Sequence, residues 1–312
     1  MAIVCNLNNL PDGIKNPVVT IGNFDGVHKG HQTIFKKVIK HARDIKGTAG
    51  VITFDPHPIK ITAPDSARPL ITPLDQKREL ILNQGIELFV IINFSYEFST
   101  ISATEFIKDV LVTRLGIKEI IVGYDYVFGR HRKGGIELLK RMGKEFDFSV
   151  YQIKPVYVGK TLVSSTLIRT LVENGDITEA KRLLGRSYQI RGKVIKGMNR
   201  GGPILGYPTA NLMLSDELVP KKGVYIVTVG IDGKTFQGLT NIGYNPTFTN
   251  NELSVETYIF DFSENILGKD IRLNFLSRLR DEITFTNASD LSQQIDRDVE
   301  IAKRFFKNTK YL

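Results

Sequence analysis

Two patterns of apolar residues divide this 312-residue chain, one before about residue 154 and the other after about residue 188. In the first part, near-continuous apolar runs alternate with helical stretches, one of which spans about 30–46 and is predicted to end at Gly47, a residue type typical of helix C-termini. Another stretch begins at Ser102, with Glu105 three residues later, in the pattern of a capping box. Such apolar runs are typical of strands buried on both faces of a parallel sheet. The alternation therefore predicts a doubly wound α/β domain with strands at 18–24, 50–56, 87–94, 119–124 and 148–153.

The second part consists of short strand-like segments separated by turn residues, including Asp232–Gly233. Many short strands at even spacing predict an antiparallel barrel or sandwich. An amphipathic segment predicts a terminal helix over about 288–306. Two short helical segments, 165–175 and 176–185, each end at a glycine, and we expect them to close the first domain. The expected domains are therefore 1–185 and 186–312.

Composition limits the classes of protein that the chain can belong to. Its single cysteine, Cys5, permits no internal disulfide and no cysteine cluster for zinc. No apolar run reaches the roughly 18 residues of a membrane-spanning helix, and the first residues lack the pattern of a secretory signal. These features favour a cytoplasmic protein without a membrane partner. The net charge of +9 is compatible with binding nucleic acid or phosphorylated small molecules, or with a solvated basic surface.

A glycine-rich turn after the first predicted strand is the strongest candidate for a phosphate site. It contains Gly22, Gly26 and Gly30 and leads directly into a helix, whose N-terminal N–H groups and dipole favour anions. His28 and His31 are three residues apart and share a face of that helix. Two imidazoles at this place can donate hydrogen bonds to a transferring phosphoryl group. The alternatives are that the histidines cap the helix and pack on the sheet, or that they bind zinc together with Asp25.

A second helix start carries hydroxyl groups that are also suited to phosphate. Ser164, Ser165 and Thr166 lie at the beginning of the helix predicted over 165–175, and Arg169 is one turn further along. Hydroxyls and backbone N–H groups at a helix start bind phosphate, and a guanidinium adds a planar set of donors. Ordinary N-capping is the alternative interpretation.

In the second half, the string ILGYPTANL (204–212) and a strand carboxylate are the candidates. Gly206 and Pro208 predict a turn, after which Thr209 and Asn211 alternate outward along an extended segment. A hydroxyl and an amide oxygen are ligands suited to Mg²⁺ together with ATP phosphates. Residues 132–312 contain no histidine, so Glu256 is the best candidate for a general base there, the alternative being an ordinary strand glutamate.

These motifs resemble those of bacterial bifunctional FAD synthetases over nearly the whole chain. GNFDGVHKGH resembles the HxGH signature of nucleotidylyltransferases, and FDPHP (54–58), GYDYVFGRHRKGG (123–135) and VSSTLIR (163–169) are similar to further segments of the adenylyltransferase half. YPTAN resembles the PTAN motif of riboflavin kinases. The resemblance implies a nucleotidylyltransferase domain that adenylylates FMN, followed by a β-barrel domain that phosphorylates riboflavin.

The resemblance also implies the roles of individual residues. His28 and His31 are the implied catalytic residues of adenylyl transfer, and Glu256 deprotonates the ribityl 5′-hydroxyl in the kinase. The implied ATP site of the first domain contains Gly22, Asn23, Phe24, Asp25, His28, His31, Asp125, Ser164, Ser165, Thr166 and Arg169. The implied flavin-binding residues are Phe54, Pro56, His57, Pro58, Tyr126 and Arg278. In the kinase, Gly206, Thr209 and Asn211 meet ATP, and Thr209 and Asn211 hold Mg²⁺. The substrates and products are riboflavin, FMN, ATP and FAD.

Two other functions are compatible with parts of the sequence. The first domain could adenylylate another phosphate, such as phosphopantetheine, and flavin-dependent turnover separates that reading from the implied one. A basic chain with a small barrel could bind nucleic acid, but no run of interleaved aromatic and basic residues supports this, and we expect no nucleic-acid partner. The sequence leaves a monomer and a homo-oligomer both open.

Overall fold

The computed structural model describes residues 3–196, 207–214, 216–244 and 253–308. Contacts between residues divide the chain into two compact units, Met1–Ser165 and Thr166–Leu312. The domain boundary predicted between residues 185 and 186 stays a prediction. Among the residues described, no helix combines the length and the apolar character that crossing a bilayer requires.

The first unit is built on a six-stranded sheet in the order β1–β4–β3–β2–β5–β6, in which every neighbouring pair is parallel. Its strands are β1 (Ile3–Asn6), β2 (Val18–Ile21), β3 (Ala49–Asp55), β4 (Leu88–Asn93), β5 (Glu119–Gly123) and β6 (Ser149–Ile153). Its helices are α1 (Lys29–Asp44), α2 (Pro58–Thr62), α3 (Leu74–Leu82), α4 (Tyr96–Ser99), α5 (Ala103–Glu105) and α6 (Ile136–Phe146), and α5 continues as a π-helix over Phe106–Arg114. Single 3₁₀ turns occur at Pro64–Ser66 and Arg130–Arg132, and a small hairpin joins β7 (Tyr157–Val158) to β8 (Thr161–Leu162).

Two apolar clusters cover the two faces of this sheet, which confirms the doubly wound fold. One cluster includes Val19, Ile52 and Val90, and the other includes Val51 and Phe89. Neighbouring strand residues thus point to opposite faces and are all fully buried, which explains why the strands are continuous apolar runs in the sequence. The capping box of Ser102 and Glu105 is also confirmed.

Strand β2 lies where the direction of chain progression reverses. From β2 the chain adds β3 and then β4 on one side, and it then crosses to add β5 and β6 on the other. In such sheets the carboxyl ends of the two strands at the reversal border a crevice in which ligands bind. The loops after β2 and β5 are therefore the ones that this topology favours for a site.

The end of α1 differs from the prediction. The helix ends at Asp44, and the residue with left-handed backbone is Lys46, with φ of 52°, not Gly47. Gly47 serves a different need, because a Cβ built there would lie 2.1 Å from the carbonyl oxygen of Asn16. The glycine therefore permits close approach of two backbones and is not needed for a left-handed backbone conformation at the helix end.

The second unit contains a closed antiparallel barrel in the order β10–β13–β12–β11–β14–β9, which decides between the predicted barrel and sandwich. Its strands are β9 (Tyr188–Ile195), β10 (Thr209–Met213), β11 (Gly223–Ile231), β12 (Lys234–Tyr244), β13 (Leu253–Ile259) and β14 (Asp270–Arg280). Its helices are α7 (Ser165–Asn174, which begins at the last residue of the first unit), α8 (Ile177–Leu184) and the terminal α9 (Ala288–Asn308). Asp232 and Gly233 form the predicted hairpin turn, both with positive φ.

Large aromatic side chains fill the barrel, and α9 covers part of its outer surface. Tyr188, Tyr225 and Phe275 are almost completely buried and pack on one another. Val224 and Leu239, which alternate with inward-facing residues, pack with Ala302 and Phe306 of α9. Residues of each strand can therefore be assigned to the inner or the outer face from their register.

Candidate active sites

His28 and His31 form a stacked pair at the tip of α1. Their ring centroids are 3.5 Å apart, at an angle of 19°. His28 is the N-cap of the helix, and its Nδ1 accepts a hydrogen bond from the backbone N–H of His31 at 3.3 Å. In this geometry Nδ1 carries no proton, so the neutral ring has its proton on Nε2 and can donate to a phosphate oxygen. Capping and phosphate binding are thus compatible roles for the same imidazole.

The loop that leads to this pair has an unusual backbone. Phe24 and Val27 have positive φ, 48° and 42°, as does Gly26 at 86°. Side chains with a Cβ rarely adopt such angles, so the surrounding contacts must hold the loop in place. At Gly30 a Cβ would lie 3.0 Å from the ring of His28, and glycine leaves the room that this imidazole occupies.

Several of the predicted ATP-site residues make contacts that hold this loop. The ring of Phe24 is buried and packs edge-on against His31, at 5.2 Å between centroids. Gly22 donates its N–H to the carbonyl of Ile52, and the carbonyl of Asn23 accepts from the hydroxyl of Thr53 at 3.4 Å. These residues place backbone groups and histidines at the carboxyl end of β2.

Asp25 is almost completely buried and joins the loop to two other segments. Its carboxylate accepts hydrogen bonds from the backbone N–H groups of Ile71, at 3.2 Å, and Thr72, at 3.0 Å. Its carbonyl accepts from the hydroxyl of Ser165, at 2.8 Å, at the start of α7. Ser165 thus lies at a helix start, as predicted, and beside the loop of the histidines. Ser164 precedes it, and Thr166 and Arg169 follow in the first turns of α7.

The predicted flavin residues of the first unit follow the strands on either side of β2. Phe54 is the next-to-last residue of β3 and packs against Phe94 and Phe98, and His57 caps α2 by accepting from the N–H of Ile59 at 3.3 Å. Pro56 and Pro58 flank that cap, and the Asp55–Pro56 peptide bond is cis.

Asp125 and Tyr126 follow β5, on the other side of the crevice. Asp125 is exposed, whereas the ring of Tyr126 is partly buried and stacks on Phe128 at 5.3 Å. Burial raises the pKa of the Tyr126 hydroxyl. The topology therefore gathers the predicted residues of the first unit at one edge of the sheet.

In the barrel, the register places the predicted kinase residues in adjacent positions. Thr209 pairs with Tyr258, and Asn211 pairs directly with Glu256. On its other side Glu256 pairs with Asn241 of β12. Paired residues share a face of the sheet, and Tyr258 packs with the α9 cluster, so all five side chains lie on the outer face.

Glu256 is partly buried between the two asparagines. Burial raises the pKa of its carboxyl group. A raised pKa makes the carboxylate a stronger proton acceptor than an exposed glutamate, which suits a general base. Thr240 and Thr257, the strand neighbours of Asn241 and Glu256, point into the barrel and share a hydrogen bond of 2.9 Å.

Tyr207 connects the predicted kinase motif to α9, a link that the sequence did not reveal. Its hydroxyl donates to Asp296 of α9, and its ring packs edge-on against Tyr258 at 5.0 Å. The bond to Asp296, with a smaller effect of burial, raises the pKa of Tyr207 to about 12. Gly206, which precedes Tyr207 and was predicted to meet ATP, lies outside the described residues.

Arg278 of β14 lies in a row of cross-strand paired residues that is next to the row containing Glu256. It pairs with the inward-facing Tyr225 and covers its ring at 5.9 Å. Its guanidinium donates to the carbonyl of Lys222 and to Asp281, both at 2.6 Å. The structure thus does not place Arg278 in the Asn211–Glu256–Asn241 row, and its predicted contact with flavin stays a prediction.

Oxygen donors in the barrel fit a hard cation that is shared with a nucleotide. Within the described part of the chain, no group of three or more His, Cys, Asp or Glu side chains is arranged to hold a metal ion. Thr209 and Asn211 instead offer one hydroxyl and one amide oxygen on the same face of β10. That donor set suits Mg²⁺ that has further ligands from phosphates.

The sequence reasoning missed one buried charged residue near the first site. Lys77, on α3, is 2% exposed, and Gln76 beside it is 3% exposed. A signal was available, because Lys77 is four residues before the buried Ile81 and so occupies a position where the helix period calls for an apolar side chain.

Comparison with known proteins gives matches in both halves of the chain. A family model described as FAD synthetase matches residues 11–167, and one described as riboflavin kinase matches residues 184–306. A crystal structure described as a macrolide-efflux protein from Streptococcus pneumoniae has a TM-score of 0.86 and 33% sequence identity and covers 98% of each chain.

Relatives described as bifunctional riboflavin kinase/FMN adenylyltransferase match the chain from end to end. The protein of Buchnera aphidicola subsp. Acyrthosiphon pisum is 35% identical and covers 98% of both chains. The Haemophilus influenzae protein is 34% identical, over 99% of this chain and 100% of the relative. The Escherichia coli K12 protein is 33% identical over 99% of both.

Proposed function

The chain belongs to the family of bifunctional riboflavin kinases and FMN adenylyltransferases, and from that premise we propose which of its residues carry out each reaction. The protein phosphorylates riboflavin to FMN and adenylylates FMN to FAD. We assign the adenylyl transfer to the loop and helix tip around His28 and His31, and the kinase reaction to the row around Glu256. The single cysteine also supports a cytoplasmic location.

In the adenylyl transfer, a phosphate oxygen of FMN attacks the α-phosphorus of ATP, and pyrophosphate leaves. Negative charge grows on the oxygens of the α-phosphate as the bond forms. The Nε2–H group of His28, the imidazole of His31 and the N-terminus of α1 are the donors that we assign to stabilise this charge. Two donors at a helix tip that is held by buried contacts require little reorganisation when the charge develops, and positioning of the two substrates supplies the rest.

The flavin of FMN is assigned to the loops that follow β3 and β5. Phe54, Pro56, His57 and Pro58 form one side, and Tyr126 forms the other. Both loops extend from strands that are neighbours of β2, which supports a flavin whose phosphate meets the histidine pair. Ser165 and Arg169, on α7, are assigned to the phosphates of ATP.

In the kinase reaction, the ribityl 5′-hydroxyl of riboflavin attacks the γ-phosphorus of ATP, and ADP leaves. Glu256 accepts the proton of that hydroxyl. Thr209 and Asn211 would hold Mg²⁺, which neutralises phosphate charge when bound. Asn241, which pairs with Glu256, is the candidate for orienting the carboxylate. One observation supports the proposal most strongly: Asn211, Glu256 and Asn241 lie side by side on three neighbouring strands. The carboxyl group with a raised pKa is therefore next to the oxygen donors suited to Mg²⁺.

The assignment can be tested with two substitutions that approximately keep the shape of the side chain. His28→Asn keeps an oxygen that can accept from the N–H of His31, so the cap of α1 is retained while the imidazole is lost. We expect it to slow FMN adenylylation by roughly 10²–10³-fold and to leave the kinase rate unchanged.

Glu256→Gln should slow riboflavin phosphorylation by roughly 10²–10⁴-fold and leave the adenylylation of supplied FMN unchanged. Steady-state assays of each reaction measure both. A variant that retains the reaction assigned to it would show that its residue was misassigned.

A further inference from the structure

The start of β10, which carries the proposed ligands of Mg²⁺, is held by its sheet on one side only. Strand β13 pairs with residues 209–211, whereas β9 pairs with residues 211–213. Among the described residues, Thr209 and Ala210 therefore pair with β13 alone. A strand end with a single neighbour opens more easily than a segment that is paired on both sides. The position of Thr209 thus depends on contacts outside the strand ladder as well.

Tyr207, two residues before Thr209, makes two such contacts. Its ring packs edge-on against that of Tyr258, at 5.0 Å between centroids, and Tyr258 is the residue that pairs with Thr209. Its hydroxyl donates a hydrogen bond to the carboxylate of Asp296 on α9. Hydrogen bonds to a charged acceptor are stronger than those between neutral groups. Pro208 lies between Tyr207 and Thr209 and has a fixed φ of roughly −65°, so the place of Tyr207 constrains where β10 begins.

The helix that provides this acceptor is itself fixed to the barrel. Two residues after Asp296, the buried Asp298 accepts hydrogen bonds from Arg280 at the end of β14 and from Gln294 of α9. Further along α9, Phe306 packs in the apolar cluster on the outer face of the barrel. Since contacts on both sides of Asp296 hold the helix, its carboxylate has a defined position relative to the strands. A hydrogen bond to it therefore restricts Tyr207.

We propose that Tyr207 and Asp296 are positioning residues of the kinase, and that their hydrogen bond uses α9 to hold the start of β10 where Thr209 meets Mg²⁺ and ATP. The proposal rests on the assignment of Thr209 and Asn211 to Mg²⁺ and ATP. Neither positioning residue contacts the reacting atoms in this account. Glu256 pairs with a strand on each side and does not depend on this bond for its position. Loss of the bond should therefore affect the use of ATP and leave the use of riboflavin unchanged.

Tyr207→Phe tests the proposal, because it removes the hydroxyl and keeps the ring that packs on β13. With Mg²⁺ in excess, we expect KM for ATP in riboflavin phosphorylation to rise about fivefold to tenfold, which is the effect of losing one such hydrogen bond. KM for riboflavin and the adenylylation of supplied FMN should be unchanged. Asp296→Ala should have the same effect, and Asp296→Asn, which keeps an acceptor oxygen, should recover most of the loss. The matched controls are Tyr157→Phe, at an exposed tyrosine, and Glu300→Ala, at an exposed carboxylate of α9, and both should behave as the wild type.

The double variant Tyr207→Phe/Asp296→Ala tests whether the two residues act through one bond. Its KM for ATP should be no higher than that of the more affected single variant, whereas a rise equal to the product of the two single effects would show that they act independently. If Tyr207→Phe did not fold, Asp296→Ala would decide alone, because Asp296 is exposed and its removal leaves no cavity.

Two results would overturn the proposal. One is an unchanged KM for ATP in the single variants, and the other is an equal rise of KM for ATP and for riboflavin, since that is the result of a general disturbance of the barrel. Asn211→Ala tests the assignment of the motif separately. An unchanged KM for ATP in Asn211→Ala would contradict that assignment, whereas a rise in Asn211→Ala without one in Tyr207→Phe would contradict only the positioning role.

Discussion

Glu256 illustrates how the surroundings of one side chain determine its chemistry. The carboxyl group lies between Asn211 and Asn241 on the outer face of the barrel and is partly buried. Burial disfavours the charged form and raises its pKa. The same environment that makes the carboxylate a better base therefore costs folding free energy at neutral pH. If Glu256 is the base that we propose, function and stability are opposed at this residue.

The pH dependence of the kinase reaction should reflect this raised pKa. Glu256 accepts a proton only when it is ionised, so the kinase rate should fall as the pH decreases through a value above that of an ordinary glutamate. Adenylylation of supplied FMN should not show this loss, because we assign that reaction to other residues. Profiles of kcat against pH, measured for each reaction of the wild-type protein, provide the test. An identical acidic limb in both profiles would contradict the assignment.

The stability of the second unit should increase as the pH decreases, whereas the kinase rate should fall. Because the folded-state pKa of Glu256 is above its unfolded value, its contribution to stability is present at low pH and is lost as the pH rises through the folded-state pKa. Glu256→Gln should therefore increase the free energy of unfolding at pH 7, with little change at pH 4. Denaturant unfolding at both pH values measures this, with the exposed Glu264→Gln as the control. A loss of stability in Glu256→Gln at pH 7 would argue against a destabilising buried charge.

At the scale of elements, α9 is attached to the barrel by one buried ion pair as well as by apolar contacts. Arg280, at the end of β14, binds both carboxylate oxygens of Asp298 on α9, at 2.7–3.1 Å. The Asp298 side chain is only 4% exposed. Another pair on α9, Arg304 with Glu300, is 77% and 71% exposed. The two pairs have similar chemistry and very different surroundings.

This difference in burial predicts different effects of removing each arginine. Arg280→Ala leaves the buried Asp298 without its ionic partner, with a hydrogen bond from Gln294 remaining, and should lower the free energy of unfolding by about 3–5 kcal/mol. Arg304→Ala should change it by less than about 1 kcal/mol. Urea unfolding followed by circular dichroism compares the two variants. Equal effects would show that burial of the pair does not control its contribution.

The elements were largely predictable from apolar patterns, and the exceptions have physical reasons. The predicted parallel strands are confirmed because burial on both faces requires continuous apolar runs. Strand β1 was missed, since its four residues, IVCN, form only one edge of the sheet and pair with β4 alone. The role of Gly47 was misread because close approach to Asn16 depends on contacts that are distant in sequence.

At the scale of the whole molecule, the chain combines two units with separate chemistry. Motifs located His28 and His31 in one unit and Thr209 and Asn211 in the other, since each motif is contiguous in sequence. Pairings across strands could not be predicted in this way. The position of Asn241 beside Glu256 depends on barrel register, and the burial of Lys77 depends on the packing of α3.

Complementation between two defective variants tests the division of labour most directly. His28→Asn and Glu256→Gln would be incubated with ATP, Mg²⁺ and riboflavin in excess over protein, each alone and then mixed, and the products separated over time. The account predicts that His28→Asn accumulates FMN, that Glu256→Gln forms neither product, and that the mixture forms FAD. A mixture that forms no FAD, although His28→Asn makes FMN, would contradict the assignment of the two reactions to separate sites.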